Sequence, residues 1–131
     1  MKLGGVLNNR LSMLIAEMGH TDGLTVADAG LPVPIEVERI DLAVSPGVPR
    51  FAQVLEAVAS ELKVEAIVIA TETLTANSAA LETIERCFPG VPIESVPHTE
   101  FKALTRATRA VVRTGECSPY ANVILRSGVI F

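Results

Sequence analysis

The sequence has no tryptophan, one tyrosine and only two histidines among 131 residues, and aromatic residues make up 4% of it. No block of basic residues occurs, and the formal net charge is −4. Nucleic-acid binding draws on a positive surface and on rings that stack on bases, so a nucleic-acid partner is not expected. Long apolar runs are missing too. Charges, or Gly, Pro, Asn and Thr, break every stretch before the roughly 20 apolar residues that cross a bilayer, so no membrane span is expected. Asn8, Asn9, Arg10 and Glu17 interrupt any apolar region of the kind a secretory signal carries. The two cysteines, Cys87 and Cys117, are far apart and belong to no CxxC pair, which suits free thiols in a reducing cytoplasm better than a disulfide or a zinc site. There is no GxGxxG, no GxxxxGK[ST], no GxSxG and no His/Asp/Glu cluster at metal-ligand spacing. No metal and no cofactor is therefore expected. The chemistry left is acid/base work on a polar, uncharged ligand.

What is present is apolar. Hydrophobic residues make up 49% of the chain against 20% charged, and mean hydropathy is +0.41. A domain of this size buries only about two-thirds of its chain surface. The surplus points to a subunit interface, and so to a homo-oligomer. Residues 1–131 read as a single domain, with no repeat, linker or low-complexity tract.

Leu11, Leu14, Ile15 and Met18 recur at helical spacing, which predicts a helix over 8–19 with Asn8 or Asn9 as N-cap and Gly19 closing it. Short apolar runs predict strands over 24–27, 40–44, 65–71, 93–96, 110–114 and 123–125. Helices are predicted over 50–62, 77–87 and 98–105. Pro32 and Pro34 exclude helix interior from the segment after Gly30. Strands alternating with helices, themselves nearly all apolar, indicate an α/β fold. The expected architecture is a three-layer α/β/α domain with a largely parallel, mixed central sheet. The two late strands have no helix between them, so part of the sheet is expected to be antiparallel. The terminal Phe131 is expected to be packed, within the chain or against a neighbouring subunit.

His20 follows Gly19 in the turn-like Gly-His-Thr-Asp-Gly, and imidazole gives and takes protons near neutrality. A turn histidine also suits a surface or capping role. His98 follows Pro97 at a helix start, and Lys102 shares its helix face one turn on. Asp28 ends an apolar strand, where ligands of α/β sheets bind, although an aspartate there also makes local turns. Glu72 ends the EAIVIAT strand in the same way. Segment 113–122 places Glu116, Tyr120, Ala121 and Asn122 between two strands, and Asn122 offers both a donor and an acceptor to a hydroxyl.

Five segments, in order, carry a family likeness: Ala16-Glu-Met-Gly-His-Thr-Asp22, Val26-Ala-Asp-Ala-Gly-Leu-Pro-Val-Pro34, His98-Thr-Glu-Phe-Lys102, Arg113-Thr-Gly-Glu116 and Pro119-Tyr-Ala-Asn122. Together they resemble the D-ribose pyranase family, from the first helix to the terminal Gly-Val-Ile-Phe. The Gly-Leu-Pro-Val-Pro continuation separates them from the related L-fucose mutarotases. The resemblance implies an isomerase that converts the pyranose form of D-ribose to the furanose form used by ribokinase. It implies no cofactor, rings such as a decamer of two stacked pentamers, and a site at a subunit interface. By matching position, His20 corresponds to the proton donor. Asp28, His98, Tyr120, Ala121 and Asn122 correspond to sugar-binding positions, and Lys102 and Glu116 lie in the same motifs. The chain departs from the family at Asn9, and at Pro97, where a serine is common. The alternatives are a mutarotase for another sugar such as fucose, and a non-catalytic sugar-binding or regulatory module.

Overall fold

The computed structural model describes residues 1–131. Six strands form one sheet: β1 (Gly23–Ala27), β2 (Glu38–Asp41), β3 (Val64–Ala70), β4 (Ile93–Val96), β5 (Ala110–Arg113) and β6 (Val123–Ser127). Five helices accompany them: α1 (Asn9–Glu17), α2 (Phe51–Ala59), α3 (Thr71–Ala76), α4 (Ser78–Cys87) and α5 (His98–Leu104). The strand order is β2-β5-β1-β6-β3-β4.

The β2–β5, β5–β1 and β3–β4 pairs are parallel, and β6 runs antiparallel to both β1 and β3. Five strands therefore point one way and β6, at the centre, points back. The sheet is α/β and mixed, as expected. The antiparallel element is placed differently from the simplest reading, because β5 and β6 do not pair with each other; β1 lies between them. Apolar runs report that a strand is buried, not which way it runs.

Burial on both faces explains those runs. Ile67 and Ile69 of β3 face one core, with Leu11 and Leu14 of α1, Val54, Leu55 and Val58 of α2, and Ile84 of α4. Val68 and Ala70 face the other, with Phe101 of α5, Leu31 and Ile124. Period-two alternation along β3 thus splits its apolar residues between two layers.

Several boundaries differ from the sequence reading. The Asn8 side chain accepts from the Leu11 N–H and caps α1, but extended Met18 ends the helix and Gly19 is not its left-handed residue. That conformation falls to Thr21, with φ of 69°. Strand β2 lies two residues earlier, because it pairs only with β5 and stops where Asp41 meets Arg113. The α3 turn was not expected, and it places Glu72 in a helix start rather than at a strand end. Phe131 is fully exposed rather than packed within the chain. No helix is long and apolar enough to cross a membrane.

Candidate functional site

The strand directions decide which residues meet. Asp28 follows the carboxyl end of β1, His98 follows β4, and Glu116 lies just past β5. Because β6 is antiparallel, the segment 120–122 that leads into it reaches the same edge of the sheet. Ligands of such sheets bind at this edge. Here Asp28, His98, Glu116 and Tyr120 line an open cleft of about 500 Å³, together with Gly30 and Ser118.

Asp28 is held from three sides. Its backbone N–H donates to Asn122 Oδ1 at 2.9 Å, and Asn122 Nδ2 donates to Asp28 Oδ2 at 2.8 Å. The Gly30 N–H donates to Asp28 Oδ1 at 2.9 Å. Asn122 is fully buried, so both ends of its amide are spent on Asp28. Each carboxylate oxygen keeps lone pairs free, and the residue stays half-buried on the cleft wall. The arrangement presents a fixed acceptor to hydroxyl groups.

Glu116 does a different job from open-water solvation. Its Oε2 accepts from the Phe51 N–H, the first residue of α2, at 3.1 Å, and its Oε1 accepts from the Ser118 N–H at 3.1 Å. Burial pushes its carboxyl up, but donors from Ser118, Phe51 and Cys117 outweigh that and hold it below the usual carboxylate range. The carboxylate thus ties the cleft loop to a helix N-terminus. Gly115 before it must lack a side chain, since a Cβ there would stand 2.3 Å from the Val48 carbonyl oxygen.

The His98 ring lies near-parallel to Phe101, with centroids 6.2 Å apart, and meets the Tyr120 ring edge-on at 5.1 Å. Its backbone N–H donates to Glu72 Oε2 at 3.0 Å, so Glu72 caps α5. Its Nδ1 is buried without a partner. Tyr120 holds φ of 56°, a left-handed conformation rare outside glycine, and the Thr73 hydroxyl fixes its carbonyl at 2.9 Å. Ala121 is buried in the larger core and is not among the residues lining the cleft. Lys102 is half-buried one turn beyond His98 and is not among the residues lining the cleft.

His20 is not brought to this cleft. It precedes β1, whereas Asp28 follows it, so the two stand at opposite edges of the sheet. The strand between them spans about 15 Å at ~3.3 Å per residue. At its own edge the exposed imidazole meets Glu65, whose Oε1 and Oε2 lie 3.1 and 3.0 Å from Nε2. In sequence Glu65 is only the first residue of the apolar strand run 65–71. Nothing local in the sequence marks it, because it lies 45 positions from its partner. No three His, Cys, Asp or Glu side chains are grouped so as to hold a metal ion.

The RbsD / FucU transport protein family model matches residues 1–130. The chain is 52% identical to a D-ribose pyranase of Geobacillus kaustophilus, over 100% of this chain and 96% of the relative. It is 54% identical to a D-ribose pyranase of Laribacter hongkongensis over the whole of both chains. It superposes on Bacillus subtilis RbsD complexed with D-ribose with a TM-score of 0.96, at 45% identity and full coverage of both chains. A fucose mutarotase of Streptococcus pneumoniae in complex with L-fucose shares the fold, with a TM-score of 0.80 at 23% identity over 95% of each chain.

Proposed function

The chain belongs to the RbsD / FucU family, and on that premise we propose that it interconverts the pyranose and furanose forms of D-ribose. It is an isomerase acting by general acid/base ring opening and closing. The observation that carries this is identity above 50% to D-ribose pyranases over the whole chain.

The reaction breaks the C1–O5 bond and makes C1–O4. A proton goes to O5 as the electron pair of the breaking bond moves onto it. The anomeric hydroxyl gives its proton to an acceptor in the cleft, for which the free lone pairs of Asp28 are suited. The aldehyde then rotates about C1–C2. O4 attacks C1 and loses its proton, and the former carbonyl oxygen regains one. Proton transfer and orientation suffice, and positioned acid/base groups contribute about 10²- to 10⁴-fold. His20 supplies the proton to O5 and recovers one from O4. Asp28, His98, Tyr120 and Asn122 hold the sugar, Asn122 by fixing Asp28. Glu116 shapes the cleft loop, and Ala121 and Lys102 lie near the sugar-holding residues in sequence.

A sugar in one chain's cleft is out of reach of that chain's own His20. The catalytic imidazole therefore comes from a second copy, and the working form is a homo-oligomer, a decamer of two stacked pentamers. Residues 1–131 act as one domain in the cytoplasm, supplying ribofuranose to ribokinase. Saturation-transfer NMR on ribose tests the reading. His20→Ala is expected to abolish catalysed exchange while ribose binding persists. Undiminished exchange in that variant overturns the assignment. Faster exchange on fucose than on ribose identifies a fucose-type mutarotase, and binding without exchange in the unaltered protein identifies a non-catalytic module.

A further inference from the structure

The His20 turn is held more firmly than an exposed loop requires. The Thr21 N–H donates to the Ser127 carbonyl at 2.9 Å, and the Ser127 hydroxyl donates to the Gly19 carbonyl. One β6 residue thus grips the backbone on both sides of His20. Thr21 itself is β-branched with φ of 69°, a conformation that persists only when its surroundings impose it.

The partner of the ring is equally prepared. Val64 of β3 pairs with Ser127 and Ala66 with Arg126, so β3 carries one extra residue, Glu65, between them. A bulge of this kind re-aims the side chain of the residue it leaves unpaired. Gly128 leaves the space this needs: a Cβ there would stand 3.0 Å from the Glu65 Cβ and 3.3 Å from Oε2. Both carboxylate oxygens then face a single imidazole nitrogen, Nε2. Asp22, the other nearby carboxylate, is occupied by Arg109 and the Gly19 N–H.

We infer that Glu65 is the positioning residue of the reaction: it holds the His20 ring by Nε2–H, so that Nδ1 is the atom that exchanges protons with the sugar. Nε2 stays committed to the carboxylate, so Nδ1 alone gains and loses a proton: as imidazolium the ring gives it to O5, and as the neutral ring it takes one back from O4. Glu65 never touches the sugar in this scheme. The inference rests on His20 being the proton-transferring group.

The test compares Glu65→Gln and Glu65→Ala with the unaltered assembly. Saturation-transfer NMR gives the exchange rate, ribose titration the affinity, and the histidine ¹⁵N spectrum the tautomer, with His20→Ala assigning its signals. Glu65→Ala is expected to slow exchange about 10- to 100-fold. The glutamine retains part of the rate, because its carbonyl still accepts from Nε2–H. Ribose affinity and melting temperature stay close to those of the unaltered protein, since Glu65 is exposed. A purely structural role would lower the melting temperature and leave the His20 tautomer unmoved. Unchanged exchange in Glu65→Ala, or a Nδ1–H tautomer in the unaltered protein, overturns the inference. If His20→Ala itself exchanges normally, the catalytic reading fails instead.

Discussion

At the scale of single residues, the Asp28–Asn122 pair shows how a buried amide serves a cleft it barely touches. Asn122 spends an acceptor on the Asp28 N–H and a donor on its carboxylate. Leucine of similar size would leave both groups unpaired in a closed environment, at a cost of about 1–3 kcal/mol. Asn122→Leu is therefore expected to lower stability by that amount in denaturant melts. It is also expected to weaken ribose binding by tenfold or more, because the Asp28 carboxylate loses its fixed direction. Asp28→Asn removes the charge and sets an amide NH2 against the Gly30 or the Asn122 donor, so it should weaken binding and cost about 1 kcal/mol of stability. A stable Asn122→Leu protein that binds ribose normally would show that Asp28 needs no clamp. The two roles were not separable in sequence. An asparagine before a strand advertises donors and acceptors, but only the pairing of β1 with β6 makes Asp28, 94 positions away, their target.

At the scale of elements, the start of α2 and the loop after β5 form one unit through Glu116. The carboxylate accepts from the first N–H of the helix and from Ser118 in the loop. Its folded-state pKa is depressed, so it contributes stability that is present above the ordinary carboxylate range near 4.5 and is lost as pH falls through the lowered value. Glu116→Gln keeps one acceptor and loses the charge. The expected cost at neutral pH is about 1 kcal/mol, in the range of a lost helix cap and moderated by solvent at this half-exposed site. The difference from the unaltered protein should close on acidification below 4.5, when both carry a neutral side chain. Thermal melts from pH 7 to pH 3 check this. A gap that widened on acidification would mean that Glu116 is better bound protonated.

Elements were also where the sequence was most and least legible. The strand 93–96 and the cap at Asn8 follow from local chemistry and stand as read. The α3 turn has no amphipathic repeat and three threonines in six residues, so it carries no helical signal. It forms because tertiary contacts use it: Thr73 holds Tyr120, and Glu72 caps α5. The bulge at Glu65 left no trace for the same reason, since register belongs to a pair of strands and not to one.

At the scale of the whole molecule, the two halves of the chemistry stand on opposite edges of one sheet. The cleft has two carboxylates, an imidazole and a phenol, and the far edge has His20 with Glu65. Apolar side chains such as Leu3, Ile35, Val44, Ile130 and Phe131 stand exposed on the single chain, and the proposed homo-oligomer would bury them. A site composed from two chains makes a prediction that no single-chain site shares. His20→Ala leaves the cleft intact, and Asp28→Asn leaves His20 intact. Each alone should be inactive or nearly so. When the two are dissociated together and reassembled one to one, a site is complete only if its cleft comes from the first variant and its imidazole from the second. Random assembly gives about a quarter of the sites in that state, and activity should recover to about that fraction of the unaltered protein. Exchange measured by saturation-transfer NMR before and after mixing decides it. No recovery, despite mass-spectrometric proof of mixed oligomers, would put His20 and the cleft that uses it on the same chain, and would demand a rearrangement that carries the imidazole across the length of β1.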